Sequence, residues 1–107
     1  MTSSTQTDLQ RMPNADNTIG VIGGGQLALM LGEAAQTRGL TLAVQASKAE
    51  DPAASLAKDL VIAGSTDVRA TRELSSHCVG ITFENEWVAV DALMPLERQG
   101  VQFTPSL

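Results

Sequence analysis

The segment from Thr18 to Leu31 constrains this chain more than any other. Thr18-Ile19-Gly20-Val21-Ile22 is rich in β-branched residues and reads as a short strand; three glycines, Gly23, Gly24 and Gly25, follow at once. From Gln26 to Arg38 the apolar residues Leu27, Met30, Leu31 and Ala34 fall at helical spacing, and Gly39 supplies a stop. A strand that turns through glycine straight into a helix is the opening unit of an α/β sheet.

The remaining chain repeats the alternation. Leu40 to Gln45 reads as a second strand, and Asp51-Pro52 starts a short helix running through Ala57. Leu60 to Ala63 is a third strand, and Asp67 opens a helix to about Ser76 with Val68, Thr71, Leu74 and Ser75 inward. Val79 to Phe83 is a fourth strand, then a helix begins at Val88 or Val90 and runs through Pro95 to Arg98. Gly100 precedes a last strand, Val101 to Phe103. This order predicts a doubly wound, mainly parallel, five-stranded Rossmann-like sheet over residues 18–107. Residues 1–17 are polar and aperiodic and read as a disordered leader. The sequence stops at Thr104-Pro105-Ser106-Leu107, where another helix could be capped, so the domain is expected to be truncated from a longer protein.

Composition narrows the function classes. At 107 residues with 43% hydrophobic content the chain can build one core, and with two Phe, one Trp and no Tyr that core should be aliphatic. A formal charge of -5 and scattered basic residues argue against nucleic acid and against a basic membrane-surface helix. No segment is long and apolar enough to span a bilayer, and the first residues carry no apolar signal core. A single cysteine, Cys78, rules out an intrachain disulfide and offers no zinc set, which favours a cytoplasmic location and predicts no metal site in these residues.

Two features carry the candidate chemistry. Gly23-Gly24-Gly25-Gln26-Leu27-Ala28 satisfies the dinucleotide pattern G-x-G-x-x-G/A between a strand and a helix, where free amides favour an anion such as phosphate. A dinucleotide site would normally bring an acid at the end of the second strand for the ribose, but Gln45-Ala46-Ser47 stands there. No Gly-Lys-Ser/Thr follows the glycines, which excludes a P-loop. The second feature is Ile81-Thr82-Phe83-Glu84-Asn85-Glu86, two carboxylates just past the fourth strand at the sheet edge where such folds bind ligands. If strands one and four are neighbours, Gln26 and Glu84 share one pocket. Glu84 and Glu86 could accept hydrogen bonds from hydroxyls or an amine; as solvated residues or helix-starting charges they would need no ligand. Trp87 reads as packing, His77 and Cys78 as lying at the opposite edge, and Asp51, Lys58 and Asp59 as exposed charges.

These motifs, with Asp51-Pro52-Ala53-Ala54 and Gly100-Val101-Gln102-Phe103-Thr104-Pro105, resemble in order and spacing the start of the N5-carboxyaminoimidazole ribonucleotide synthetases, a family of the ATP-grasp superfamily in purine biosynthesis. The resemblance runs from Thr18 to Leu107. It implies a ligase that uses ATP and bicarbonate to carboxylate 5-aminoimidazole ribonucleotide, with a homodimeric parent. It further implies that this opening domain holds the ribonucleotide through Gly24, Gly25, Gln26, Leu27, Glu84 and Glu86, while ATP, Mg2+ and the catalytic residues belong to later domains. No catalytic residue is then expected here, and the chain alone should be inactive. Ala28-Leu29-Met30 departs from the family's usual Gly-Arg-Met, and Gln45-Ala46 from its common Asp. Other readings are the opening domain of a related ATP-grasp enzyme, such as the formate-dependent glycinamide ribonucleotide transformylase or biotin carboxylase, a stand-alone NAD(H)- or nucleotide-binding module, and a remnant that keeps the fold without a ligand.

Overall fold

Parallel strands need crossovers, and the glycine turn forces the first of them. The computed structural model describes residues 17–84 and 90–104. Strand β1 (Thr18–Ile22) leads into helix α1 (Gln26–Gln36), strand β2 (Thr41–Ala46), a 3₁₀ helix (Pro52–Leu56) and strand β3 (Ala57–Ile62). Helix α2 (Val68–Ser75), strand β4 (Gly80–Phe83) and helix α3 (Val90–Arg98) complete the order. The four strands form one parallel sheet in the order β3-β2-β1-β4, which makes β1 and β4 neighbours. The expected leader, apart from Asn17, and Asn85, Glu86, Trp87 and Val88 lie outside the described residues, as do Pro105, Ser106 and Leu107.

Both faces of the sheet are covered, so its central strands are mostly apolar on both sides rather than alternating, with Thr18 and Gln45 as buried polar exceptions. On one face Ile22, Ala43, Val61 and Ile81 pack under Ala70 and Leu74 of α2 and Leu93 and Leu96 of α3. On the other, Val21, Leu42, Val44 and Ala46 lie under Ala28 and Ala35 of α1 and Ala53 of the 3₁₀ helix. Helix ends are closed by local chemistry. Asp67 accepts from the Ala70 amide at 3.1 Å to start α2. At the end of α1, Gly39 takes φ +75°, and the Leu40 amide reaches back to the Ala35 carbonyl at 2.9 Å, a left-handed glycine stop. Gly100 repeats the device after α3, with φ +104° and Val101 bonded to Leu96.

Two expectations are corrected. The fifth strand is reduced to a single bridge: Ile81 and Phe103 pair in parallel, flanked by bonds from the Ile81 amide to Gln102 and from the Thr104 amide to Ile81, each 2.8 Å. Phe103 is buried and stacks on Phe83 at 6.2 Å, so packing rather than a ladder fixes this segment. Strand β3 begins at Ala57, three residues before the expected start, and includes Lys58 and Asp59. It is an edge strand, and Lys58, Leu60 and Ile62, which alternate along it, are exposed, so charge is tolerated there.

In α1 the apolar residues at helical spacing face solvent, with Leu27 60% and Met30 61% exposed, and Leu31 and Ala34 exposed beside them. The sheet is met instead by Ala28, Gly32 and Ala35, the same spacing moved by one residue. Close packing explains the choice: a Cβ on Gly32 would lie 3.0 Å from the Leu56 side chain and 3.1 Å from that of Leu42. Small residues occupy the closest approach of α1 to the sheet, with Leu29 partly buried beside them, while Leu27 and Met30 turn outward.

Candidate functional site at the glycine turn

Register places Glu84. Ile22 pairs with Phe83 across β1 and β4, and the Glu84 amide, one residue on, donates to the Ile22 carbonyl at 3.0 Å. The ladder thus continues past β4, and the Glu84 side chain meets the turn that follows β1. Its Oε1 accepts a hydrogen bond from the Ala28 amide at 3.1 Å. Gly25 precedes α1 as its N-cap and provides no side-chain cap, so a residue from β4's end performs the function a Ser or Asp would normally have. The amides of Gln26 and Leu27 have no partner among the described residues.

The glycines make room for this carboxylate. A Cβ on Gly25 would fall 2.7 Å from Glu84 Oε1, and one on Gly23 2.8 Å from Glu84 Cβ and 2.9 Å from Oε2. Gly23 also takes φ +115°, which L side chains rarely adopt. Its amide donates to the Gln45 carbonyl at 2.8 Å, tying the turn to β2. On the other side of the turn a Cβ on Gly24 would lie 2.7 Å from the Ala46 Cβ and 2.9 Å from the Asp51 Cβ. The Gly24 carbonyl in turn accepts from the Ala53 amide at 2.8 Å.

Asp51 was expected to be an exposed charge and is instead a half-buried strut of the turn. Its Oδ2 accepts from the Ser47 hydroxyl and the Lys48 amide, both at 3.2 Å, closing the loop between β2 and the 3₁₀ helix. The Ser47 to Asp51 spacing, followed by proline, is the signal that could have found it.

These carboxylates change the expected ligand chemistry. A helix N-terminus attracts an anion by about 0.3–1 kcal/mol, up to about 2 in partly buried sites. Two like charges about 4 Å apart at an effective dielectric near 20 repel by about 4 kcal/mol. The free amides of Gln26 and Leu27 attract an anion, whereas the carboxylates of Glu84 and Asp51 oppose one placed against Gly23 to Gly25, so the two effects compete at this edge.

Residues 16–107 match the family model for the ribonucleotide synthetase pre-ATP-grasp domain. The chain belongs to that family. It is 50% identical over 90 residues to the N5-carboxyaminoimidazole ribonucleotide synthase of Synechocystis sp., covering 84% of this chain and 23% of that protein. The pre-ATP-grasp domain also superimposes on the crystal structure of N5-carboxyaminoimidazole ribonucleotide synthetase from Thermotoga maritima. That match has a TM-score of 0.79 and 30% identity over 84% of this chain and 25% of the other. The Aspergillus clavatus synthase, solved with ADP and 5-aminoimidazole ribonucleotide, gives a TM-score of 0.69 at 30% identity, over 84% of this chain and 24% of that one. The chain thus spans about a quarter of the length of the relatives it matches.

Of the residues singled out in the sequence, this pre-ATP-grasp domain brings Gly24, Gly25 and Glu84 together at one sheet edge, with Gln26 and Leu27 exposed on the first turn of α1. Glu86 lies outside the described residues. Gln45 is absorbed elsewhere. It is 1% exposed, donates to the carbonyls of Gly64 at 2.8 Å and Asp67 at 3.3 Å, and accepts from the Thr71 hydroxyl at 2.8 Å. That network turns Gln45 toward α2, away from the glycine turn, so it offers nothing to a ribose there.

Cys78 and His77 do not form a catalytic pair. The Cys78 thiol donates to the Leu74 carbonyl at 3.3 Å, and burial pushes it up to about 11. The His77 Nδ1 lies 3.7 Å from Asp59 Oδ2 instead. A cavity of about 230 Å3 is lined by Cys78, Gly80, Gln99 and Gln102, among others. It opens beside the start of β4, the sheet edge opposite the glycine turn, and holds no ionised group suited to chemistry. Among the described residues no group of three or more His, Cys, Asp or Glu could hold a metal ion. None of the described helices is long and apolar enough to cross a membrane.

Proposed function

We propose that this chain is the ribonucleotide-side domain of an ATP-dependent ligase that carboxylates 5-aminoimidazole ribonucleotide with bicarbonate, giving N5-carboxyaminoimidazole ribonucleotide. The observation that carries this reading is the 50% identity to a synthase of that name across a segment containing both the glycine turn and Glu84. In this reading Gly24 and Gly25 let the substrate approach the backbone, Gln26 and Leu27 offer exposed amides and a side-chain amide, and Glu84 and Glu86 accept hydrogen bonds from hydroxyl or amine groups.

ATP and Mg2+ do not fit the described residues. The turn has no following Gly-Lys-Ser/Thr, and no metal-ligating cluster is present among the described residues. Phosphoryl activation of bicarbonate therefore belongs to segments matching the rest of the relatives' length, and the parent would act as a cytoplasmic homodimer. The chain alone should hydrolyse no ATP. Titrating it with 5-aminoimidazole ribonucleotide while following the amide resonances of Gly24 to Leu27 tests the binding role. Saturable shifts at those amides are expected. A flat response, or bicarbonate-dependent ATP turnover by this chain alone, would overturn the reading.

A further inference from the structure

We infer that the outer face of α1 is a self-pairing surface, on which a second copy of this chain docks its own α1 antiparallel across a two-fold axis. Leu27, Met30, Leu31 and Ala34 stand at the i, i+3, i+4, i+7 spacing of one helix face, and all four are exposed. The opposite face already packs on the sheet through Ala28, Gly32 and Ala35. The helix is therefore apolar on two sides, the pattern of a helix held between two partners. Gln26, Glu33, Gln36 and Thr37, all exposed, border the stripe with polar groups, as a rim borders an interface core.

Symmetry and charge select a second copy as the occupant. A two-fold axis midway between Met30 and Leu31 sets Leu27 against the partner's Ala34 and Met30 against the partner's Leu31, so the stripe is its own complement, as an isologous contact requires. Antiparallel pairing also carries the Arg38 end of one helix alongside the start of the other. Arg38 continues the stripe, its Nη1 donating back to the Ala34 carbonyl at 3.4 Å. No Lys or Arg occurs from Thr18 to Gln36, and the carboxylates of Glu84 and Asp51 flank the glycine turn at the helix start. Opposite charges thus meet at both ends, whereas a parallel pair would bring like ends together. The helix has no acidic residue in its first turn and no basic residue in its last, so an antiparallel neighbour offsets a dipole that α1 does not offset itself. This pairing gives the homodimeric parent of the proposed function a contact surface, and it rests on that part of the reading. One helix pair buries less than the about 800 Å2 per partner of a standard interface, so the chain alone should pair weakly.

Sedimentation velocity and cysteine cross-linking of the 107-residue chain test the pairing. The chain should sediment as a monomer at about 1 μM and chiefly as a dimer at about 1 mM. Met30→Glu alters a residue that is 61% exposed, leaves the core intact and should weaken pairing at least about tenfold. In a Cys78→Ala background, oxidation should join Met30→Cys chains, whose α-carbons sit about 1.5 Å apart along the paired axes. It should leave Ala34→Cys chains unjoined, because theirs sit about 10 Å apart. Equal cross-linking of the two variants would mean a parallel pair and would overturn the inference. So would a monomer at about 1 mM, which would assign the stripe to later segments of a longer parent. Met30→Glu chains that pair as tightly as the original would overturn it as well. A monomer that still shows saturable ribonucleotide shifts from Gly24 to Leu27 would overturn this inference alone. A flat ribonucleotide response from a chain that dimerises would count against the proposed function and still support the pairing.

Discussion

Glu84 accepts a hydrogen bond from the amide of Ala28, 56 residues earlier in the chain, and so the end of β4 caps the start of α1. The bond ties the end of β4 to the first turn of α1. It makes the geometry of the turn depend on the register of the sheet, because a slip of β4 against β1 would carry Glu84 to the opposite face.

Gly25→Ala measures how tightly that carboxylate is held. Gly25 has φ −81°, a conformation alanine adopts freely, so any cost comes from the clash with Glu84 rather than from backbone strain. A loss of about 1 to 3 kcal/mol is expected in urea denaturation, as for overpacking elsewhere. Gly64→Ala is the control: nothing lies within 4 Å of the added Cβ. It should be neutral or stabilise by up to about 1 kcal/mol.

The buried amide of Gln45 gives a second expectation. Thr71→Val removes the hydroxyl that donates to Gln45 Oε1 and leaves a buried acceptor without its partner. A loss of about 1 to 3 kcal/mol should follow, while Thr71→Ser, which keeps the hydroxyl, should lose less. Equal losses for the two variants in chemical denaturation would show that the methyl, not the hydrogen bond, stabilises this contact.

Cys78 sets a pH dependence. Burial raises its thiol from 9.0 to about 11, so the folded chain keeps a proton that the unfolded chain has already released between those values. Stability from this group is therefore complete below 9.0 and is lost as pH rises through about 11. Denaturation midpoints at about pH 8 and about pH 10 should differ more for the unaltered chain than for Cys78→Ala. Alkylation by iodoacetamide should be slow at neutral pH and accelerate only in the alkaline range, since the thiolate is the nucleophile.

Much of the sheet was legible because its signals are local. The glycine turn marked β1 and α1, Asp67 marked the start of α2, and Gly39 and Gly100 marked the helix stops. The parallel sheet followed from the alternation of strands and helices, whereas the neighbouring of β1 and β4 was a condition, the usual doubly wound order, which the sheet meets. Orientation was less legible. Leu27, Met30, Leu31 and Ala34 share the period of Ala28, Gly32 and Ala35, and hydrophobicity alone favours the larger set. The distance between helix and sheet decides for the smaller one, and that distance is a tertiary property. The beginning of β3 was hidden for a related reason, since Lys58 and Asp59 lack the apolar signature that a central strand would show.

The site divides in the same way. The juxtaposition of Glu84 with the glycine turn could be anticipated from topology, because both stand at the carboxyl ends of adjacent strands. That the carboxylate would bond to the helix amide, instead of pointing into an open pocket, depends on a 3.1 Å contact that no spacing encodes. Asp51 escaped notice because its partners, Ser47 and Lys48, make a loop closure that resembles an ordinary polar surface turn.

Among the described residues β3 pairs on one side only, which bears on how this chain behaves in crowded solution. Its outer row of backbone groups offers a template for a foreign strand, and Leu60 and Ile62 would make such an addition sticky. Lys58, exposed at the beginning of that template, sets a charge where a further strand would have to pair. Protection is therefore uneven along the strand: charged where it enters the sheet, apolar where it leaves. Aggregation of a destabilised chain would start at the Leu60 to Ile62 end.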